Sequence, residues 1–383
     1  MRICLVTSSF YPATFYGGPI SATWDLSKKI SKRDFDVYVS TTNANGNCRL
    51  KINTNIFVKQ EEDFFVKYYH EEIINRFSLA FIFGIWSDIK KADIVYIQYI
   101  FHYTVLFSLL FSFLQNKKVF LCGRGSLSSY GLGYKNKLIK KIWLFVFIRP
   151  FVKNITWHAS SFLEQKDIKR EFPDSIVKII QDGVDFKSFQ HFRSFKKKEL
   201  LEKFTEKKFE DVSKIFFSMG RLHKIKCFDI LIDAFSIFVK VDSNAKLIIA
   251  GGDDGEGNIL KNQIKNLNLE NSVFLIGAIE FDDKNILLNN CDYFTLASQF
   301  ESFGIVIAEA LSCGKPVVVS RNTPWIDIET NKCGILVDNE KESLANALSQ
   351  IVNINYDSRV IKDYVKSNFD WSVIENKFFN IFK

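Results

Sequence analysis

From Tyr293 to Ser320 the chain reads strand, polar loop, helix, strand, and that succession admits few folds. Tyr293 to Ala297 is an unbroken apolar run of strand length. A helical pattern opens at Phe303 and stops at Gly314, and Pro316 leads into the apolar run Val317 to Ser320. Apolar strands joined through helices make a parallel sheet covered on both faces. The loop then presents the backbone amides of Phe303, Gly304 and Ile305 at a helix N-terminus, a site for phosphate or sugar oxygens, where Gly304 permits close approach. Glu301 and Glu309 flank this site with seven residues between them. At 1.5 Å per helical residue they stand roughly 12 Å apart. That is about the span of a nucleotide-sugar from its sugar to its ribose, and a carboxylate accepts hydroxyl hydrogen bonds at either end. The same letters also read as one solvated glutamate at a helix start and another on a helix flank.

The rest of the second half repeats the alternation. Runs at Lys214–Met219, Leu247–Gly251, Val273–Gly277 and Ile335–Val337 read as further buried strands. After the first comes Gly220-Arg221, with Lys226 five residues beyond Arg221. A helix follows, with Phe228, Leu231, Ile232, Phe235 and Phe238 at helical spacing. Two cations at the carboxyl end of a strand suit a pyrophosphate, although surface lysines are common.

The first half opens with a strand, Ile3 to Thr7, a loop containing Gly17-Gly18-Pro19, a helix from Ala22 and a second strand, Val37 to Thr41. The glycines stand where ligands of open α/β sheets bind, but they do not form the G-x-G-x-x-G dinucleotide fingerprint. Residues 43–92 are polar and carry no clear pattern, and they read as loops and helices. From Ile94 to Leu163 there are 70 residues without one Asp or Glu, carrying nine Lys and Arg. The uncharged part, Ile94 to Asn116, is long enough to suggest a transmembrane helix. It divides better into a strand ending at Gln98 and a helix, Phe101 to Leu114. Lys135, Lys137, Lys140 and Lys141 then precede the apolar run from Ile142 to Ile148, with Trp143, Phe145 and Phe147 inside it. Basic residues around an aromatic run fit an anionic membrane surface, and they equally fit a solvated face beside a core segment.

Several of these motifs together resemble glycosyltransferase family 4, whose members retain the anomeric configuration of the transferred sugar. The resemblance rests on Gly17-Gly18, Arg221…Lys226 and Glu301…Glu309, in that order, and it spans nearly the whole chain. It implies an α/β protein of GT-B architecture, two Rossmann-like domains facing each other across a cleft. It further implies that Arg221 and Lys226 stabilise a departing diphosphate, that Glu301 contacts the donor sugar, and that Glu309 holds the ribose. The amides of Phe303, Gly304 and Ile305 and the Gly17-Gly18 loop would meet sugar and phosphate, with no covalent nucleophile. Arg124 stands where members often carry histidine, on the acceptor side with His102, for which a structural role is the plainer reading. Asp182, in Gln181-Asp182-Gly183-Val184-Asp185, replaces a usual Asn, and Cys227 replaces a usual Gly. Thr323-Pro324-Trp325 is similar to members linked to polysaccharide assembly.

Length and composition frame the expectation. A chain of 383 residues predicts two domains: 1–185 with a C-terminal helix at about 360–383 packing back, and 213–359, joined by a lysine-rich linker at 186–212. Seven scattered cysteines without a C-x-x-C pair fit free thiols in a reducing cytoplasm, and no spacing suggests a metal site. Met1 leads directly into strand-like sequence, without a signal-peptide pattern. The expected protein is therefore a cytoplasmic enzyme, peripheral on the inner face of the cell membrane, needing neither cofactor nor metal. Its partners would be a nucleotide-sugar donor, a saccharide or lipid-linked saccharide acceptor and an anionic membrane surface, with no nucleic acid. A nucleotide-sugar epimerase of the same architecture and a non-enzymatic membrane-associated scaffold are the rival readings.

Overall fold

In a computed structural model of the chain, the apolar runs of the second half pair as a six-stranded, wholly parallel sheet. The structure describes residues 1–383 other than 14, 16, 34, 61–62, 74–76 and 134–135. Along the chain the six strands are Ile215–Met219, Lys246–Ala250, Val273–Leu275, Tyr293–Leu296, Val317–Ser320 and Gly334–Val337. Across the sheet they run third, second, first, fourth, fifth, sixth. Alternate side chains enter two cores, one around Phe217, Ile248 and Phe294, the other around Phe216, Leu247 and Ile249. Burial on both faces is why these strands read as continuous apolar runs. The order reverses between Ile215–Met219 and Tyr293–Leu296, and the carboxyl ends of strands at such a reversal form the ligand crevice of a doubly wound sheet.

The first unit, Met1–Gly183 together with Trp371–Lys383, holds an eight-stranded sheet. Its order is Ile176–Ile179, Ile155–Ala159, Lys118–Cys122, Ile94–Gln98, Arg2–Val6, Asp36–Thr42, Phe65–Tyr69, Phe57–Lys59. Only the last pairing is antiparallel. The uncharged stretch divides into the strand Ile94–Gln98 and the 12-residue helix Tyr103–Leu114. Among the described residues no helix is long and apolar enough to cross a membrane.

Three segments depart from expectation. Residues 43–92, expected as loops and helices, contribute the strands Phe57–Lys59 and Phe65–Tyr69 beside the helix Leu79–Lys90. The supposed linker carries the helix Lys197–Thr205, and Phe189, Leu200 and Leu201 bury themselves in the core of the second unit, Val184–Asp370. The C-terminal helix is two helices, Ser358–Phe369 in the second unit and Trp371–Phe382 in the first. In the latter, Phe378 and Phe382 pack against Tyr96 at 6.5 and 6.0 Å between ring centroids.

Beneath that helix lies His158. Its Nε2 lies 2.7 Å from the Ile180 carbonyl oxygen and its Nδ1 2.7 Å from the Tyr96 hydroxyl. A carbonyl only accepts, so Nε2 carries the proton and Nδ1 accepts from Tyr96. Burial pushes the His158 pKa down to about 4 from 6.5. Between those values the unfolded chain binds a proton that the native state does not, so stability falls as pH drops from about 6.5 toward 4. Melting temperature followed across that window should decline, and His158→Gln should flatten the decline.

Candidate functional site

Two glycines allow the loops at the sheet reversal to close on one another. A Cβ at Gly251 would lie 1.8 Å from the Gly220 carbonyl oxygen, so the strand ends meet only without side chains. A Cβ at Gly220 would lie 3.0 Å from Cε of Lys226, whose stem occupies that space. The Gln299 amide donates to the Ile225 carbonyl at 2.8 Å, tying the loop after Tyr293–Leu296 to the loop that carries Arg221 and Lys226. Cys227, in the position where a glycine is usual, adopts φ +50°, the left-handed conformation that costs glycine least. The substitution therefore keeps the backbone of the motif.

Lys226 and Glu301 consequently meet, Nζ to Oε1 at 2.5 Å, with side chains 17% and 13% exposed. The Ser298 hydroxyl donates to the same Oε1 at 2.6 Å. Arg221 is more open; its Nη1 reaches Asp254 Oδ2 at 2.5 Å. Asp254 and Ser298 had no marker in the sequence beyond lying in polar loops. Asp253 accepts the amides of Gly255 and Gly257 at 3.0 and 2.9 Å, as a turn residue does. Asp282 and Asp283 occupy the first turn of the helix Phe281–Asn290, and Asp283 pairs with Lys203.

The helix beyond Glu301 begins at Ile305, two residues later than its pattern suggested, because Gly304 turns into the left-handed region at φ +80°. The first amides of any helix lack partners within it and carry the positive end of its dipole. The Phe303 ring is buried against Trp325, and its carbonyl accepts the Trp325 indole N–H at 2.6 Å. Phe303 thus offers backbone alone, and Trp325 braces the turn that aims it. Glu309 lies on the same helix, buried, with Oε1 held by Lys284 Nζ at 2.6 Å.

In the first unit, Gly17 caps the helix Gly18–Ser31 at φ +74°, at the end of the loop that follows the strand Arg2–Val6. Arg124 sits at φ +48° with its side chain 2% exposed, Nη1 on both carboxylate oxygens of Asp182 at 2.6 and 2.8 Å. Its guanidinium is thus taken up internally rather than offered to a ligand. His102 caps the helix Tyr103–Leu114 by accepting from the Thr104 amide, and burial lowers its pKa to about 4. Both serve local structure.

The basic segment also differs from expectation. Lys135 lies outside the described residues. Lys140 donates to the Gly131 carbonyl at 2.6 Å. Trp143 turns inward, its indole donating to Ile100 at 3.0 Å and its ring 4.8 Å from that of Phe147. Lys137 and Lys141 remain exposed, and the outward face carries Leu138, Ile139, Ile142, Phe145 and Val146, between 47% and 71% exposed. Among the described residues no group of three or more His, Cys, Asp or Glu is arranged to hold a metal ion.

Residues 201–367 match the protein family described as "Glycosyl transferases group 1". The chain is 27% identical over 334 residues to the alpha-1,3/1,6-mannosyltransferase ALG2 of Dictyostelium discoideum, covering 75% of each. Over 126 residues, 31% of this chain and 32% of the relative, it is 37% identical to a Campylobacter jejuni protein. That relative is named N-acetylgalactosamine-N,N'-diacetylbacillosaminyl-diphospho-undecaprenol 4-alpha-N-acetylgalactosaminyltransferase. Among solved structures, HepE of Anabaena in complex with UDP-glucose aligns with a TM-score of 0.77 at 19% identity, over 100% of this chain and 99% of that one, a likeness of fold.

Proposed function

This chain belongs, through residues 201–367, to the group 1 glycosyl transferases, and on that premise we propose that it retains the donor's anomeric configuration in extending a lipid-linked saccharide. It has the GT-B fold and is an enzyme that uses a nucleotide-sugar donor. The observation that carries the site reading is the meeting of Lys226, Glu301 and a helix N-terminus at the sheet reversal of the second unit. Arg221 and Lys226 neutralise the departing diphosphate, where most charge develops. Glu301 orients the sugar and Glu309 the ribose, while the amides around Gly304 meet sugar and phosphate oxygens.

The acceptor reading draws on two supports. The Campylobacter jejuni relative is named for a diphospho-undecaprenol acceptor. The acid-free stretch of this chain exposes an apolar helix face flanked by Lys137, Lys141, Arg149 and Lys153, which suits an anionic membrane surface and an enzyme peripheral to it, working in cell-surface polysaccharide assembly.

A panel of nucleotide-sugars assayed for nucleotide release, with and without lipid-diphosphate-linked saccharide, tests this reading. Release that depends on both substrates supports it. An epimer formed without acceptor supports the epimerase, and no turnover with any donor overturns the proposal. In the same assay activity should survive excess EDTA, because two cations already face the diphosphate; loss restored by magnesium or manganese would refute that expectation.

A further inference from the structure

We propose that Lys284 reads the donor's ribose together with Glu309, the carboxylate accepting one hydroxyl proton and the ammonium donating to the neighbouring hydroxyl. This rests on the reading that Glu309 faces the nucleoside.

Lys284 stands on the helix Phe281–Asn290 and Glu309 on the helix Ile305–Ser312, 25 residues apart in sequence. Nζ meets Oε1 at 2.6 Å, and the side chains are 16% and 12% exposed. The ammonium also lies 5.1 Å from the ring centroid of Phe281 and 5.7 Å from that of Phe189, so it is held on the carboxylate side by two aromatic faces.

Two consequences follow from the inventory of donors and acceptors. A free carboxylate offers two equivalent oxygens to a vicinal diol, whereas here the Lys284 ammonium occupies one lone pair of Oε1 and leaves Oε2 as the better acceptor for the first hydroxyl. The ammonium has three protons, and Oε1 takes one of them. A hydroxyl both donates and accepts, and a carboxylate can only accept, so a remaining Lys284 proton meets the oxygen of the second hydroxyl. The paired site therefore distinguishes the two hydroxyls, and it rejects a nucleotide lacking either. Merely tying two helices together would give Lys284 no influence on that choice.

The test uses the full chain and calorimetric titration with UDP, GDP and ADP, followed by the 2′-deoxy and 3′-deoxy forms of whichever binds. Loss of a hydrogen bond to a charged group predicts that the wild type prefers the ribonucleotide over each deoxy form by roughly 10-fold or more. Lys284→Met should shrink one of those ratios to within about 3-fold and leave the other unchanged. Lys284→Gln, which restores an N–H donor, should recover part of the lost ratio and replaces the methionine variant if that fails to fold. Unchanged ratios in both variants, or no ribose preference in the wild type, overturn the inference alone. Failure of all three ribonucleotides to bind the wild type overturns the donor reading beneath it.

Discussion

Alanine at Lys226 is expected to lower the transfer rate by about 10²-fold or more, and alanine at Arg221 to do the same, as for any group aimed at charge that develops in the transition state. Breaking the bond to the sugar leaves an extra negative charge on the nucleoside diphosphate, and in this pocket only these residues and helix amides are argued to meet it. Lys226 works in the drier position, 17% exposed against 45% for Arg221, so its field is less screened. On the proposed reading each cation turns to phosphate the N–H donors that Glu301 and Asp254 do not engage. Single-turnover rates at saturating donor, measured for both alanine variants, check this. Near-wild-type turnover in both would discard the assigned roles.

How much of this was legible in the sequence depends on the distance over which each feature is written. The six strands of the second unit and the cations and glutamates at their ends lie in short runs, because a strand buried on both faces must be apolar throughout. The helix start was misplaced because the apolar Phe303 read as part of a helical face; its ring belongs to Trp325, and the φ of +80° at Gly304 sets the boundary. The strand Phe65–Tyr69 was missed because it contains Lys67, whose charge is answered by Asp88 at 2.6 Å from a helix further along the chain. Lys284 and Asp254 find their partners 25 and 33 residues away, across loops with no periodic relation. Spacing carries no trace of such pairs.

Arg124 and Asp182 show the same limit from another side. Each departs from the family pattern that this chain otherwise resembles. Fifty-eight residues apart in sequence, they form one buried ion pair. A buried charge without a partner is costly, so either departure alone would destabilise the loop, and the two together satisfy it.

Glutamate at Ile142 and Phe145 is expected to reduce binding to anionic vesicles by 100-fold or more, and the reason lies in which residues the basic segment turns outward. The sequence pointed to lysines as the main attachment, with Trp143, Phe145 and Phe147 assisting. In the structure Trp143 is tucked against Ile100, Lys140 is bonded to Gly131, and Leu138, Ile139, Ile142, Phe145 and Val146 are the exposed apolar positions. Next to them Phe113, 52% exposed, packs against Phe151 at 5.6 Å and prolongs the apolar surface. Full burial of one such side chain contributes about 1.5–3 kcal/mol, and each cation near an anionic leaflet about 1 kcal/mol. The apolar stripe therefore outweighs Lys137, Lys141, Arg149 and Lys153 combined, so attachment should persist in part at high salt. Replacing Lys137 and Lys141 by Glu should remove only the salt-sensitive share. Nucleotide-sugar affinity, proposed to reside in the other unit, should be the same in all variants. Vesicle flotation at low and high salt measures both shares. A wild type that ignores anionic vesicles at low salt, or glutamate variants that bind as well as it does, would leave the stripe without a membrane role.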